Sequence, residues 1–183
     1  MTPTGTGERR DLLETLTKHR YFLRLTVQDL TDEQALLRPT ASALTLSGLI
    51  KHVADTEEAW VDFILGGPEA MGGGEGWDGD DEDGSGGESA DWAEAEDPRF
   101  VVGPADTLDE LLKRYEDVAR RTDELVTTVD LDSAHPLPVA PWFEAGARWS
   151  ARRVLLHVIA ETAEHAGHAD IIRESLDGAQ SMG

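Results

Sequence analysis

Apolar residues recur at helical spacing along four long stretches of the chain, and the clearest of these lies near its end. From Ser150 to Asp177 the sequence reads SARRVLLHVIAETAEHAGHADIIRESLD, with Leu155, Ile159, Thr162, Ala166, Ala169 and Ile172 three or four residues apart. Ser150 is a fitting N-cap and Gly178 a fitting stop, so the pattern predicts one long helix with a buried face. A second stripe, Leu12, Leu16, Leu23, Val27 and Leu30, predicts a helix from near Glu8 to about Leu30.

Between these two, Thr31 and Gln34 form a capping-box pattern that opens a short helical turn ending before Pro39. The next helix begins at Thr45 or Ser47 and is stopped after Leu65 by Gly66, Gly67 and Pro68. Leu49, His52, Val53, Thr56, Trp60 and Phe63 share one of its sides, with Lys51, Asp55, Glu57 and Glu58 pointing elsewhere. Thr107 and Glu110 make a second capping box, followed by Leu108, Leu111, Leu112, Tyr115, Val118, Thr122 and Leu125 in a helix to about Val129. Residues 130–149 carry Pro136, Pro138 and Pro141 and read as a long crossover whose Trp142, Phe143 and Trp149 can cover one end of the helices. No stretch alternates in the manner of a strand. The fold expected is all-α, a four-helix bundle with long connecting loops, forming a single domain over residues 1–183.

Charge narrows the functional classes. The formal net charge is −21, which argues against nucleic-acid or anionic-membrane surfaces, because both are held by Lys and Arg. No apolar signal core opens the chain and no run approaches the roughly 18 apolar residues of a membrane span, so a cytoplasmic protein is expected. With no cysteine, the chain can supply neither a disulfide nor a thiol, and thiol chemistry would need a thiol from outside. Thirteen arginines against three lysines, with abundant Ala, Gly and Asp, suggest a high-GC bacterial genome.

About half of the negative charge sits in residues 67–99, where twelve acidic residues and one basic residue are set among glycines. DGDDEDGSGGE has the flavour of a calcium loop, but the glycine and the acidic positions are out of register for one. The segment is expected to be a solvated loop that contributes little to folding, with Trp77 and Trp92 as its docking points.

The candidate chemistry is carried by histidines. His157, His165 and His168 lie in the last helix, and Glu161 precedes His165 by four residues, so Glu161 and His165 can address one ion, with His157 a turn earlier. A catalytic site of the zinc type uses about three protein ligands and leaves one position open, so another element must contribute. His52, on the inner side of its helix, is the best candidate, and a buried imidazole lacking a partner would cost about 1–3 kcal/mol. His19, between Lys18 and Arg20, reads as a boundary residue outside the site. Singly, each histidine is more often a hydrogen-bonded core or surface residue than a ligand; the combination points to a metal.

Two motifs, LSGLIKHVADTEEAWVDFILGG at 46–67 and WSARRVLLHVIAETAEHAGHADIIRESLDG at 149–178, make the chain resemble the DinB-like metalloprotein superfamily. The likeness is closest to its actinobacterial mycothiol-dependent and DUF664-type branch. That resemblance implies a DinB-like bundle binding a divalent metal, with Zn expected and Ni, Fe or Mn as alternatives, through His52, Glu161 and His165. His157 and His168 do not match ligand positions; His168 is left to orient a ligand or touch substrate. The set His, Glu, His is similar to that of mycothiol-dependent maleylpyruvate isomerase. That enzyme has a further C-terminal domain while this sequence ends at Gly183, which argues against maleylpyruvate as substrate.

The function implied is a metal-dependent thiol S-transferase using mycothiol on small electrophiles. Its partners would be a small-molecule thiol and an electrophile, with a homodimer open as the assembly. Two alternatives stand beside it. A metal-dependent hydrolase would use the same site with His168 or Glu164 as proton acceptor. A non-catalytic, stress-associated metal-binding bundle would have a closed coordination shell. Arg152, Arg153 and Arg173, on the last helix, are candidates to assist an anionic cofactor.

Overall fold

The computed structural model describes residues 7–71 and 97–181, so most of the acidic stretch, with Trp77, Trp92 and the calcium-loop-like run, lies outside the described residues. Among the described residues four long helices make the body: α1 (Gly7–Leu25), α3 (Leu46–Gly66), α4 (Leu108–Thr128) and α5 (Ala151–Asp177). A single helical turn, α2 (Asp32–Ala35), follows α1, and two strands, β1 (Ala134–Pro136) and β2 (Arg148–Ser150), precede α5. The architecture is thus the all-α bundle that the periodicity predicts, and no described helix is long and apolar enough to cross a membrane.

The helix boundaries follow from local chemistry. Thr31 and Thr107 close complete capping boxes with Gln34 and Glu110, and Thr45 accepts from the Gly48 amide at 3.0 Å. Ser150 caps α5 through the Arg153 amide, and Gly178 ends it in the left-handed conformation at φ 81°. The first helix stops five residues before the expected Leu30, because the chain tightens into a turn over Thr26–Gln28 and then reverses at Asp29, φ 60°. Val27 remains buried beyond the helix end, which is why the apolar stripe outlasts the helix.

The antiparallel pair β1–β2, with His135 opposite Trp149, is a departure from the expectation of no strand. Each strand is three residues long, too short for alternation to register, and β1 ends in a proline. Its effect is local but useful: it closes the 130–149 crossover and delivers Trp149 directly before the α5 cap.

Two apolar clusters fill the bundle. One gathers Leu23, Leu49, Val53, Leu111, Tyr115, Ala169 and Ile172, and the other Leu16, Trp60, Phe63, Val126, Val154, Leu155 and Val158. Between them runs a buried polar layer, one residue per long helix: Arg20, Glu57, Thr122 and Thr162. Glu57, expected to point away from the core, is 1% exposed. It takes two hydrogen bonds from the Arg20 guanidinium, one of them 3.2 Å long, and one from Thr122 Oγ1. Arg20 also donates to Asp123 at 2.7 Å, and these carboxylates outweigh burial and hold its pKa above the ordinary value. A buried charge is tolerable only when paired and hydrogen-bonded in this way.

Candidate metal centre

The site lies beside the polar layer, on the seam between α3 and α5: Glu161 directly precedes Thr162, and His52 lies five residues before Glu57. The two helices run antiparallel there: His52 meets His165, with ring centroids 4.8 Å apart, and Trp60 meets His157 at 5.0 Å. Glu161 and His165, one helical turn apart on α5, face His52 across the seam. One donor atom from each of His52, Glu161 and His165 falls within 4.8 Å of the others. This brings together the three residues that sequence reasoning named.

Two of the three donors, His52 and Glu161, are held by their surroundings in the form that binds a metal. His52 is nearly buried, its Nε2 lies 3.5 Å from Thr56 Oγ1, and Phe100 packs on its ring at a centroid distance of 4.3 Å. Burial, followed by the fields of His165 and Arg99, lowers its pKa to about 4, with Glu161 and Asp55 opposing. His52 is therefore neutral at pH 7, the form with a lone pair to give. Glu161 is held below the usual carboxylate range, first by hydrogen bonding to His165, whose Nε2 is 3.6 Å from Oε2; burial opposes this. Burial pushes His157 down from its ordinary value, and its Nε2 lies 3.7 Å from the other oxygen of Glu161.

Two neutral imidazoles and one ionised carboxylate, without thiolate, suit a borderline divalent ion such as zinc, nickel, iron or manganese. Donors about 2.0–2.2 Å from a tetrahedral ion stand roughly 3.4 Å from one another. With donors up to 4.8 Å apart, the cluster is somewhat wider than the shell of a bound ion, so the side chains would draw together around it. The residues present fit such an ion.

The remaining candidates divide. His168 is exposed beside the cluster, its Nδ1 3.5 Å from Nδ1 of His165, in position to steady that ring. His19 is half-buried in α1 and stands outside the group of converging donors, as expected. The three arginines are employed elsewhere. Arg152 pairs with Glu8 and Asp132, and Arg153 lies over the Trp149 ring. Arg173 donates to the Thr26 and Gln28 carbonyls at 3.0 and 2.8 Å, where α1 ends, and pairs with Asp177. Of the crossover aromatics, Trp149 stacks on Trp60 at 5.1 Å and Phe143 packs against Trp149, whereas Trp142 is mostly exposed.

Phe100 and Arg99 were missed. They sit in a short 3-10 turn, Pro98–Phe100, that crosses the start of α3, and Gly48 makes the crossing possible, since a Cβ there would stand 2.5 Å from the Phe100 carbonyl oxygen. The signal in the sequence was Asp97-Pro98, a cap followed by proline at the first helical position. Nothing local in the sequence ties that turn to His52. An open hollow on the described surface lies along α4, lined by Lys113, Glu116, Asp117, Arg120 and Glu124; Arg120 is already paired with Asp117 and Glu124.

Long helices packed as a bundle, with two imidazoles and a carboxylate converging between the second and the last of the long helices, define a DinB-like protein. Within that class, the family model of mycothiol-S-transferase matches residues 11–178, and the chain belongs to that family. Among solved structures the chain is similar to a conserved protein from Enterococcus faecalis, at 16% identity and a TM-score of 0.63. That match covers 93% of this chain and 97% of the other, and it shows the fold alone. No curated protein matches the chain significantly.

Proposed function

We propose that the protein is a divalent-metal-dependent thiol S-transferase, with His52, Glu161 and His165 as the ligands, mycothiol as the thiol and a small electrophile as acceptor. The convergence of those three donors, in a chain of the mycothiol-S-transferase family, carries this reading. Zinc is the metal the donor set suits first. A divalent ion, when bound, supplies the positive charge that turns a thiol into its thiolate near neutral pH.

The chain's own residues prepare for that chemistry. His52, already neutral, spends no proton on binding, and Glu161, already ionised, contributes the one negative charge. Two neutral imidazoles and one carboxylate leave a divalent ion with about one net positive charge, which favours an anionic sulfur over a neutral ligand. The Phe100 ring, 4.3 Å from that of His52 and 5.9 Å from that of His165, covers the two imidazoles on one side. In the transfer, a sulfur–carbon bond forms to the electrophile, and the leaving group departs with the electron pair of the bond that breaks. The thiol proton has to leave as well, to a base in solvent.

Titrating the cobalt-substituted protein with mycothiol and with an analogue lacking the sulfhydryl tests this. Thiolate-to-cobalt charge-transfer absorption is expected with mycothiol alone, together with thioether formation when an alkylating electrophile is added. If no thiol reaches the metal at millimolar concentration, the transferase reading fails, and the hydrolase that shares this site or the non-catalytic metal-binding bundle takes its place.

A further inference from the structure

Glu161 has two carboxylate oxygens, and the structure assigns them different neighbours. Oε2 lies 3.6 Å from Nε2 of His165, a member of the cluster of converging donors, while Oε1 lies 3.7 Å from Nε2 of His157, one turn earlier on α5 and not a member of that cluster. His157 is itself held from two sides. Its ring meets Trp60 edge-on at a centroid distance of 5.0 Å and an angle of 82°, and Trp149 at 5.2 Å and 68°. Those two indoles stack on each other at 5.1 Å, and Trp60 is 1% exposed, so they form a rigid wall. The wall limits how the imidazole can turn, and its Nε2 stands on the Glu161 side.

We propose that His157 is a positioning residue for Glu161: with the ion bound, its Nε2 closes in from 3.7 Å to donate to Oε1 and thereby presents Oε2 alone to the divalent ion. This rests on the metal-site reading above. The reason is geometric. A carboxylate with both oxygens unrestrained can swing between one-oxygen and two-oxygen coordination, and each swing changes the number of open positions on the ion. A donor on the distal oxygen removes that freedom, as outer partners of metal ligands generally do. In a site meant to leave a position for a small thiol, a Glu161 that stays one-toothed keeps the position open. The tautomer follows: Nε2 of His157 carries the proton and Nδ1 does not.

Three variants separate this role from packing. His157→Phe keeps a flat ring against Trp60 and Trp149 and removes the donor. His157→Gln supplies an amide N–H near the same place, and His157→Ala removes both ring and donor. The measurements are zinc affinity by competition with a chromophoric chelator, melting of the metal-free protein, and the separation of the carboxylate stretches in the infrared spectrum of the zinc form. For His157→Phe the expected result is a metal-free melting temperature close to wild type, a 10–100-fold weaker zinc affinity and a carboxylate signature shifted toward two-oxygen coordination. His157→Gln should recover most of the affinity. Wild-type affinity and an unchanged carboxylate spectrum in His157→Phe would overturn the proposal, as would equal losses in the Phe and Gln variants, which would mean packing alone. A wild-type protein that takes up no zinc, nickel, iron or manganese would overturn the metal reading and this proposal with it.

Discussion

Alanine at position 52 should leave the protein unable to retain a divalent ion under dialysis that the wild-type protein survives. His52 is the one donor of the cluster that α3 contributes; the other two come from α5. Without it, Glu161 and His165 are a two-ligand site on a single helix, open to water on the α3 side. Removing an outer partner of a metal ligand already costs about 10–100-fold in affinity, so loss of the ligand itself should exceed about a hundredfold. Elemental analysis of purified His52→Ala and His165→Ala checks the expectation. Full metal retention in both would end the proposal.

The same residue should set an acid limit on the metal-free protein. Folding holds His52 at about 4, against about 6.5 in an unfolded chain, so between these values the unfolded state binds the extra proton. Stability is then complete above about pH 6.5 and is lost as pH falls through 4. For the whole interval the loss is roughly 3 kcal/mol. His157, also held low by burial, adds to the slope in the same direction. Melting curves of metal-free wild type and His52→Ala from pH 7 to pH 4 should therefore diverge, the variant showing the shallower decline. Parallel declines would mean that His52 is not held neutral by its surroundings.

What the sequence made legible was whatever depends on neighbours in the chain. Capping boxes at Thr31 and Thr107, the Ser150 cap and the Gly178 stop all lie where local spacing put them, because caps are contacts within a few residues. The pairing of Glu161 with His165 is legible for the same reason, being one helical turn. His52 was reached by its place on an apolar face, and the family likeness pointed to the same residue. Glu57 and Arg20 were not legible. Each is charged, each sits on a helix with charged neighbours, and the partner that makes burial tolerable is 37 residues away. Phe100 was hidden likewise, since its contact with His52 depends on a turn crossing α3 at Gly48. The two three-residue strands are below the length at which alternation means anything.

Glu57→Ala should be the most destabilising single substitution in the polar layer. It strips the buried Arg20 guanidinium of its principal partner and leaves Asp123, which is 43% exposed at its side chain, as the remaining carboxylate. Breaking a buried pair from one side costs about 3–5 kcal/mol, because the charge left behind is desolvated without compensation. Thr122 loses its acceptor on Glu57 as well, although its hydroxyl can still turn to the Val118 carbonyl oxygen at 3.1 Å. Replacing both partners together, as Arg20→Met with Glu57→Leu, should recover much of that loss, since two apolar side chains of similar length leave no orphaned charge between the two apolar clusters. Urea unfolding of the two single variants and the double variant gives the coupling directly. A loss below about 1 kcal/mol in Glu57→Ala would show that water or Asp123 already satisfies Arg20. The double variant then separates stability from register. The layer joins α1, α3 and α4 beside the metal cluster, and Thr162 on α5 directly follows Glu161. If the polar layer sets how α3 lies against α5, the double variant should fold nearly as firmly as the wild type and still bind metal more weakly, because His52 would no longer be held opposite His165.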